Sequence, residues 1–235
     1  MSVNEQVTPI IKVVIPAYNE EQSIAHVIAD IPKNWVSEIV VVNNGSTDRT
    51  AEVASNAGAT VLHQPQPGYG NACIMGIEYL RDPSKSPDIL VFMDGDYSDY
   101  PEQLYEVAEA IINGKADFVI GSRALGNRED GSMTFPQVFG NWLATSMMKW
   151  FYKTSYTDLG PFRAIGFKQL LALDMKDRTY GWTVEMQVKA AKQKLRVTEV
   201  PVNYKKRIGV SKVSGTVKGT VMAGYKIIFT IFKYL

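Results

Sequence analysis

Asp94 and Asp96 stand at the end of the apolar run Leu90-Val91-Phe92-Met93, separated only by Gly95. A strand that ends in two carboxylates presents paired oxygen ligands at the rim of a sheet, where a divalent cation and a diphosphate can be held together. Asp-Gly-Asp is also ordinary turn chemistry, so its context decides. An EF-hand loop is excluded. Asp94, Asp96 and Ser98 fit its first three ligand positions, but Asp99 stands where that loop requires glycine and Tyr105 where it requires a bidentate glutamate. A short carboxylate pair suits a hard cation that leaves part of its shell to substrate oxygens, which points to Mg2+ or Mn2+ rather than calcium.

The elements that would position this pair are legible in the first half of the chain. Short β-branched runs at 11–15, 38–42, 60–62, 89–93 and 117–120 alternate with amphipathic segments at 22–30, 48–57, 71–80 and 101–113. Such alternation predicts βαβ units, a Rossmann-like, mainly parallel sheet and helices on both faces. Ligands of such sheets bind beyond the carboxyl ends of the strands. Asn19-Glu20, Asn43-Asn44, the segment Gln66 to Gly70 and the Asp94 to Asp96 pair each follow a predicted strand. The second half is less regular, with predicted helices at 137–152 and 184–194 and strands at 162–165 and 196–204. No internal repeat or low-complexity linker interrupts it, and a single α/β domain over 1–215 is expected, followed by a C-terminal helix over 216–235.

Composition narrows the function classes. The 235 residues are 46% hydrophobic, as in a well-cored globular protein, and 25 basic against 24 acidic side chains give no global argument for nucleic-acid binding. The single cysteine, Cys73, allows no internal disulfide, and no Cys/His cluster suggests zinc. Met1 to Pro9 lacks the apolar core of a secretory signal, and no run of 18 uncharged apolar residues predicts a membrane span. A cytoplasmic setting is the expectation.

Several motifs occur together in a characteristic order. They are Val13-Val14-Ile15-Pro16-Ala17-Tyr18-Asn19-Glu20, Val40-Val41-Val42-Asn43-Asn44-Gly45-Ser46-Thr47-Asp48, Gly68-Tyr69-Gly70-Asn71-Ala72, Asp94-Gly95-Asp96 and Gly121-Ser122-Arg123. This set resembles the family 2 inverting glycosyltransferases over roughly residues 10 to 215. The resemblance implies the GT-A fold, a nucleotide-sugar donor (a GDP- or UDP-hexose) and a divalent metal held by Asp94 and Asp96, with Asp96 the more direct ligand. It also implies a nucleoside cradle of Pro16, Ala17, Tyr18, Glu20, Asn44 and Asp48, with Gly68, Gly70 and Gly95 allowing close approach of the backbone to the donor. The glycines make only half of a dinucleotide fingerprint, because Cys73 stands at its third glycine position. Phe162-Arg163-Ala164, Glu185-Met186, Glu199-Val200-Pro201-Val202 and Gly209-Val210-Ser211-Lys212 are further similar to polyprenyl-phosphate glycosyltransferases of the dolichyl-phosphate mannose synthase type.

Two positions depart from the pattern. Asn44 stands where many relatives carry aspartate, and an amide both donates and accepts where a carboxylate only accepts. Ser98 stands where the mannose synthases place a glutamine on the metal, which shifts coordination toward water or Asp99.

The acceptor determines which further groups are required. A hydroxyl acceptor needs a general base, and Glu185 and Asp158 are the candidates, Asp158 one residue out of register with the related aspartate. A lipid phosphate is already anionic and needs cations instead; Arg123, Arg128, Arg163, Arg207 and Lys212, with Lys205 and Lys206 beside them, are the candidates. On a helical wheel of about 100° per residue, Lys218, Lys226 and Lys233 share one arc, and Val217, Val221, Tyr225, Ile228, Phe232 and Leu235 gather on another side. That predicts an amphipathic C-terminal helix for a membrane interface, the protein core or a homodimer.

The leading expectation is a metal-dependent hexosyl transfer onto a polyprenyl phosphate at the cytoplasmic membrane face. A soluble hydroxyl acceptor and a non-catalytic nucleotide-sugar binder are the alternatives. A sugar-phosphate nucleotidyltransferase is disfavoured, because the first strand leads into Pro16 to Glu20 rather than a glycine-rich basic loop.

Overall fold

The computed structural model describes residues 8–210 and 217–235, with side chains in the second segment from Gly219 onward. Strands β1 (Ile11–Ala17), β2 (Val36–Asn43), β3 (Thr60–His63), β4 (Ile89–Phe92), β5 (Phe118–Ser122), β6 (Arg163–Gly166) and β7 (Val197–Pro201) form one sheet in the order β3-β2-β1-β4-β6-β5-β7. Helices α1 (Ile24–Asp30), α2 (Thr50–Asn56) and α4 (Leu104–Ile112) cover one face. Helices α3 (Tyr69–Leu80), α5 (Phe135–Tyr152), α6 (Phe167–Leu173), α7 (Trp182–Lys192) and α8 (Val217–Lys233) cover the other. Alternation along β1 explains the two cores: Val13 and Ile15 point to one side, Val14 to the other, and all three are fully buried.

The predicted βαβ alternation of the first half is observed. The pairings β1–β2, β1–β4, β2–β3 and β5–β7 are parallel. The sheet is nonetheless mixed, because β6 runs antiparallel between β4 and β5. That reversal places Arg163 opposite Phe92 and Ile120, at the edge where β4 and β5 end. Helix α6 was not anticipated. Helix α5 begins earlier than expected because Thr134 and Gln137 form a capping box with Pro136 in the first turn.

Register aligns Ala17 with Asn43, and Val14 with both Val40 and Phe92, so the segments that follow β1, β2 and β4 emerge along one edge of the sheet. Trp182 closes the sheet beneath that edge, fully buried, with its ring edge-on to Phe92 at 4.7 Å and to Tyr69 at 6.0 Å.

Helix α3 lies tight on β1. A Cβ on Gly76 would sit 2.7 Å from Val14 Cγ1, with Val14 buried between sheet and helix. Gly76→Val is expected to lower unfolding stability by about 1–3 kcal/mol through overpacking, read as a reduced urea midpoint at unchanged slope.

Candidate active site

A cleft of about 420 Å³ opens at the edge where β1, β2 and β4 end. Pro16, Ala17, Tyr18 and Glu20 line it from the end of β1, Asn44 and Gly45 from β2, Gly68 and Tyr69 from the start of α3, and Asp94, Gly95 and Asp96 from β4. A second cavity of about 330 Å³ shares Tyr69, Asp94, Asp96, Tyr180 and Arg207 with the first, and continues past Arg123 and Tyr204 to walls supplied by α5 and α8. The two cavities meet at the carboxylate pair.

The carboxylates are crowded. Burial and then the neighbouring Asp96 charge push the Asp94 carboxyl up to about 7, although Tyr69 donates to its Oδ1 at 3.1 Å. Asp99 is buried behind the pair and pushed up strongly, by desolvation first and then by Asp94 and Asp96; its Oδ1 has no hydrogen-bond partner. Asp96 Oδ1 accepts from the backbone N–H and hydroxyl of Ser98 at 2.9 and 2.5 Å. Ser98 is therefore occupied in orienting Asp96.

Arg207 answers this negative charge. Its guanidinium spans Asp96 Oδ2 at 3.1 Å and Glu20 Oε1 at 3.0 Å and lines both cavities. Expected to serve the acceptor, Arg207 stands at the junction. Glu20, expected in the nucleoside cradle, is tied to Arg207 and accepts from Ser23 at 3.0 Å. Asp94 and Asp96 could hold a hard divalent cation: two adjoining carboxylates crowded by a third whose Oδ1 has no hydrogen-bond partner are the donor set it would relieve, and the open cleft leaves the remaining shell to substrate oxygens. Among the described residues no third His, Cys, Asp or Glu completes a protein-only cage.

Asn44 uses both functions of its amide. It donates to the Gln64 and Gln66 carbonyls at 3.1 and 2.7 Å and accepts from Gly68 N–H at 2.8 Å, so it fixes the loop between β3 and α3. Gly68 and Gly70 are needed there for a reason the motif did not show. A Cβ on either would collide with the Arg178 or Asp177 carbonyl, against which the loop is seated, and Asn71 N–H donates to Arg178 O at 3.0 Å. Gly68 faces the cleft; Gly70 is buried and does not.

Several expected site residues are placed elsewhere. Asp48 does not line the cleft; it accepts from the Thr50 and Glu21 N–H groups at 3.0 and 3.2 Å and so ties the segment after β1 to the start of α2. Asp158 is 1% exposed and grips Arg123 through two contacts, Nε to Oδ2 at 2.8 Å and Nη2 to Oδ1 at 2.7 Å. Burial alone would raise the Asp158 pKa, but the Arg123 charge and hydrogen bonds hold it below the usual carboxylate range. Asp158 is a counter-ion that aims Arg123 at the second cavity rather than a free base. Glu185 is fully buried outside both cavities. It accepts from Lys176 N–H at 3.0 Å, Asp177 N–H at 2.6 Å and Tyr234 O–H at 2.5 Å, and pairs with Lys189 at 2.8 Å. A carboxylate so enclosed cannot reach an acceptor.

Arg163 is also a structural group. It donates to the Gly160, Leu159 and Thr183 carbonyls, and burial pushes its pKa down to about 10. Arg128 is exposed, touches Met133 Sδ at 3.5 Å and lines neither cavity. Lys212 lies outside the described residues. On α8, Lys226 turns inward to Asp177 at 3.1 Å instead of facing outward with Lys233.

Residues 12–171 match the family described as Glycosyl transferase family 2. The chain belongs to that family. This family 2 glycosyltransferase is 35% identical over 218 residues to an uncharacterized glycosyltransferase of Mycobacterium bovis, covering 91% of this chain and 94% of the relative. It is 30% identical over 221 residues to an undecaprenyl-phosphate mannosyltransferase of Micrococcus luteus, covering 88% of each. Its fold matches a glucosyl-3-phosphoglycerate synthase from Mycobacterium tuberculosis, solved in complex with Mn2+, UDP-glucose and phosphoglyceric acid, at a TM-score of 0.75 and 21% identity over 96% of this chain and 79% of that one. The expected GT-A fold is thus the observed one. Tyr69, Tyr180 and Tyr204 are the cleft residues that sequence reasoning passed over. Tyr69, inside the Gly68 to Ala72 motif, was visible as a signal; Tyr180 arrives from a loop with no local pattern, and Tyr204, at the end of the predicted strand 196–204, lies beyond β7.

Two outcomes test this geometry. Asn44→Asp would face two carbonyl oxygens with a carboxylate, and about 1–3 kcal/mol of stability should be lost in urea titrations. Asp94 keeps its proton longer when folded than its ordinary value of 3.8 allows when unfolded, so its ionisation erodes stability as pH rises from about 4 to about 7. In chelator, the melting temperature of Asp94→Asn relative to the unaltered chain should therefore climb through that window and level off above it.

Proposed function

We propose that this glycosyltransferase moves a hexose from a nucleoside-diphosphate sugar to a phosphate carried on a polyprenyl chain, at a membrane surface. The observation that carries the reading is the make-up of the second cavity. Among the described residues its only carboxylates are Asp94 and Asp96, its cations are Arg123 and Arg207, and much of its remaining wall is apolar: Met133, Pro136, Leu159, Pro161, Ala223 and Ile227. A hydroxyl acceptor must lose a proton, and both expected bases are buried away from this cavity. An acceptor phosphate arrives ionised. Its oxygen attacks the anomeric carbon, the sugar–diphosphate bond breaks, and no proton has to be removed.

The chain's own residues divide this work. Pro16, Ala17, Tyr18, Asn44 and Gly68 would enclose the nucleoside, and Glu20 and Arg207 would face the diphosphate at the junction of the two cavities. Arg123, oriented by Asp158 and stacked 5.0 Å from the Tyr204 ring centre, would hold the acceptor phosphate in line. Asp94 and Asp96 would hold the divalent cation, which when bound neutralises charge developing on the departing diphosphate. The Mn2+ and UDP-glucose of the solved fold relative and the mannosyltransferase of Micrococcus luteus support metal use and a lipid phosphate respectively. No described helix is long and apolar enough to cross a membrane.

Calorimetry with a panel of nucleotides and nucleotide sugars, with and without Mn2+, tests the donor half. Metal-dependent binding of one nucleoside diphosphate, weakened about a hundredfold or more in Asp96→Ala, is expected; no metal-dependent binding to any of them would overturn it. Transfer from the identified donor should then occur onto a polyprenyl phosphate and not onto the corresponding polyprenol or onto phosphoglycerate.

A further inference from the structure

Two helices of this protein wear their apolar side outward. On α5, Phe135, Phe139, Trp142 and Trp150 recur at helical spacing on the solvent side and are exposed by 80, 49, 60 and 74%, while Ala144, Thr145 and Met148 face the core. On α8, Val221, Tyr225, Phe229 and Phe232 form a second exposed stripe, with Thr230 and Ile231 buried beneath it. The rings touch one another instead of the core. Phe139 lies 6.3 Å from Phe135 and 5.7 Å from Trp142, Trp150 stacks on Phe151 at 5.7 Å, and Phe151 meets Phe232 edge-on at 5.4 Å, joining the two helices into one face. Two exposed ring clusters of this kind, Phe135–Phe139–Trp142 and Trp150–Phe151–Phe232, mark an interaction site.

Charge selects the occupant. Residues 131–157 and 200–235, which contain both helices, hold nine Lys or Arg and no Asp or Glu in a chain of net charge +1; Arg207 and Lys226 turn inward to Asp96 and Asp177, while Lys149 on α5 and Lys233 on α8 are exposed beside the aromatic stripes. Two copies packed through this face would oppose like charges, whereas an anionic leaflet would be complementary to it. Trp and Tyr at the rim of an apolar patch are the side chains that settle at the headgroup level. The face is also continuous with the second cavity, which runs between Gly140 on α5 and Gly224 on α8; a Cβ added at either glycine would meet nothing within 4 Å.

We propose that the α5–α8 face is a docking surface for the leaflet of an anionic bilayer, and that it sets the second cavity at the headgroup plane so that a lipid phosphate reaches Arg123 without leaving the membrane. The second clause rests on the phosphate-acceptor reading; the first does not.

The full chain should float with phosphatidylglycerol vesicles at least tenfold more strongly than with phosphatidylcholine vesicles, and its tryptophan emission should be quenched by brominated lipid. Phe139→Ser/Trp142→Ser on α5 and, separately, Phe229→Ser on α8 should each lower partition about tenfold or more, with nucleotide binding and melting temperature unchanged. Failure of the intact chain to float, or partition that both variants retain, overturns the proposal. So does a dimer in sedimentation equilibrium that the variants dissociate, which would assign the face to a second copy. Geranyl phosphate, a short soluble acceptor, separates the two readings: transfer to it without vesicle binding defeats the docking surface alone, and vesicle binding without transfer to it defeats the phosphate-acceptor reading alone.

Discussion

Like charge confined at the end of one buried strand is the constraint around which this protein is arranged. Asp94, Asp96 and Asp99 lie within six residues, and desolvation together with their mutual repulsion raises Asp94 and Asp99 well above the ordinary carboxylate range. A fold built only for stability would not gather them. What makes the cluster tolerable is a set of partners, one local and two remote: Ser98, two residues on, donates to Asp96, Tyr69 donates to Asp94, and Arg207 reaches across from the end of the sheet to bridge Asp96 and Glu20. The nearby Arg123 contributes its charge while Asp158 holds it in place. The cleft is thus shaped by what its carboxylates require, and a divalent cation with a diphosphate would meet the same requirement more completely than one guanidinium does.

Much of the fold was readable because it is specified locally. Short β-branched runs alternating with helical segments mark β1 to β5, and residues that follow strands fall at the sheet edge by topology alone, so Pro16 to Glu20, Asn44 and Asp94 to Asp96 were brought together. Strand β6 was found, but its direction was not, since the hydrophobic pattern of a four-residue buried strand is the same whichever way it runs. Charged residues were the least legible. Arg163, Glu185 and Asp158 have the side chains of catalytic groups, yet each is buried with partners supplied by backbone carbonyls, N–H groups or a single counter-ion remote in sequence. Nothing in the spacing of a lone charge tells whether its partner will be substrate or protein.

The C-terminal helix shows the same limit from another side. A helical wheel sorts α8 correctly into apolar and lysine-bearing arcs, but it cannot say which arc faces the protein. The lysine arc contributes Lys226, which is drawn inward by Asp177, and that leaves the aromatic arc outside. Helix α5 was predicted as a helix without a reading of its faces, and its outward side carries Phe135, Phe139, Trp142 and Trp150.

These inward contacts give α8 a second consequence. Glu185, at the start of α7, accepts from Tyr234 just beyond α8 and from the Lys176 and Asp177 N–H groups, while Asp177 pairs with Lys226 on α8. The Asp177 and Arg178 carbonyls, in turn, are the surface on which Gly70 and Gly68 rest, and Tyr180 of the same segment lines both cavities. The seat of the loop that Asn44 fixes in the donor cleft is therefore built on a buried carboxylate that also anchors α8. Contiguous packing of this kind joins the apolar outer face to the nucleotide side of the cleft through a few hydrogen bonds. It gives Glu185 a reason to be a carboxylate that has nothing to do with proton transfer: its two oxygens accept from two N–H donors, a phenol and the Lys189 ammonium at one buried point.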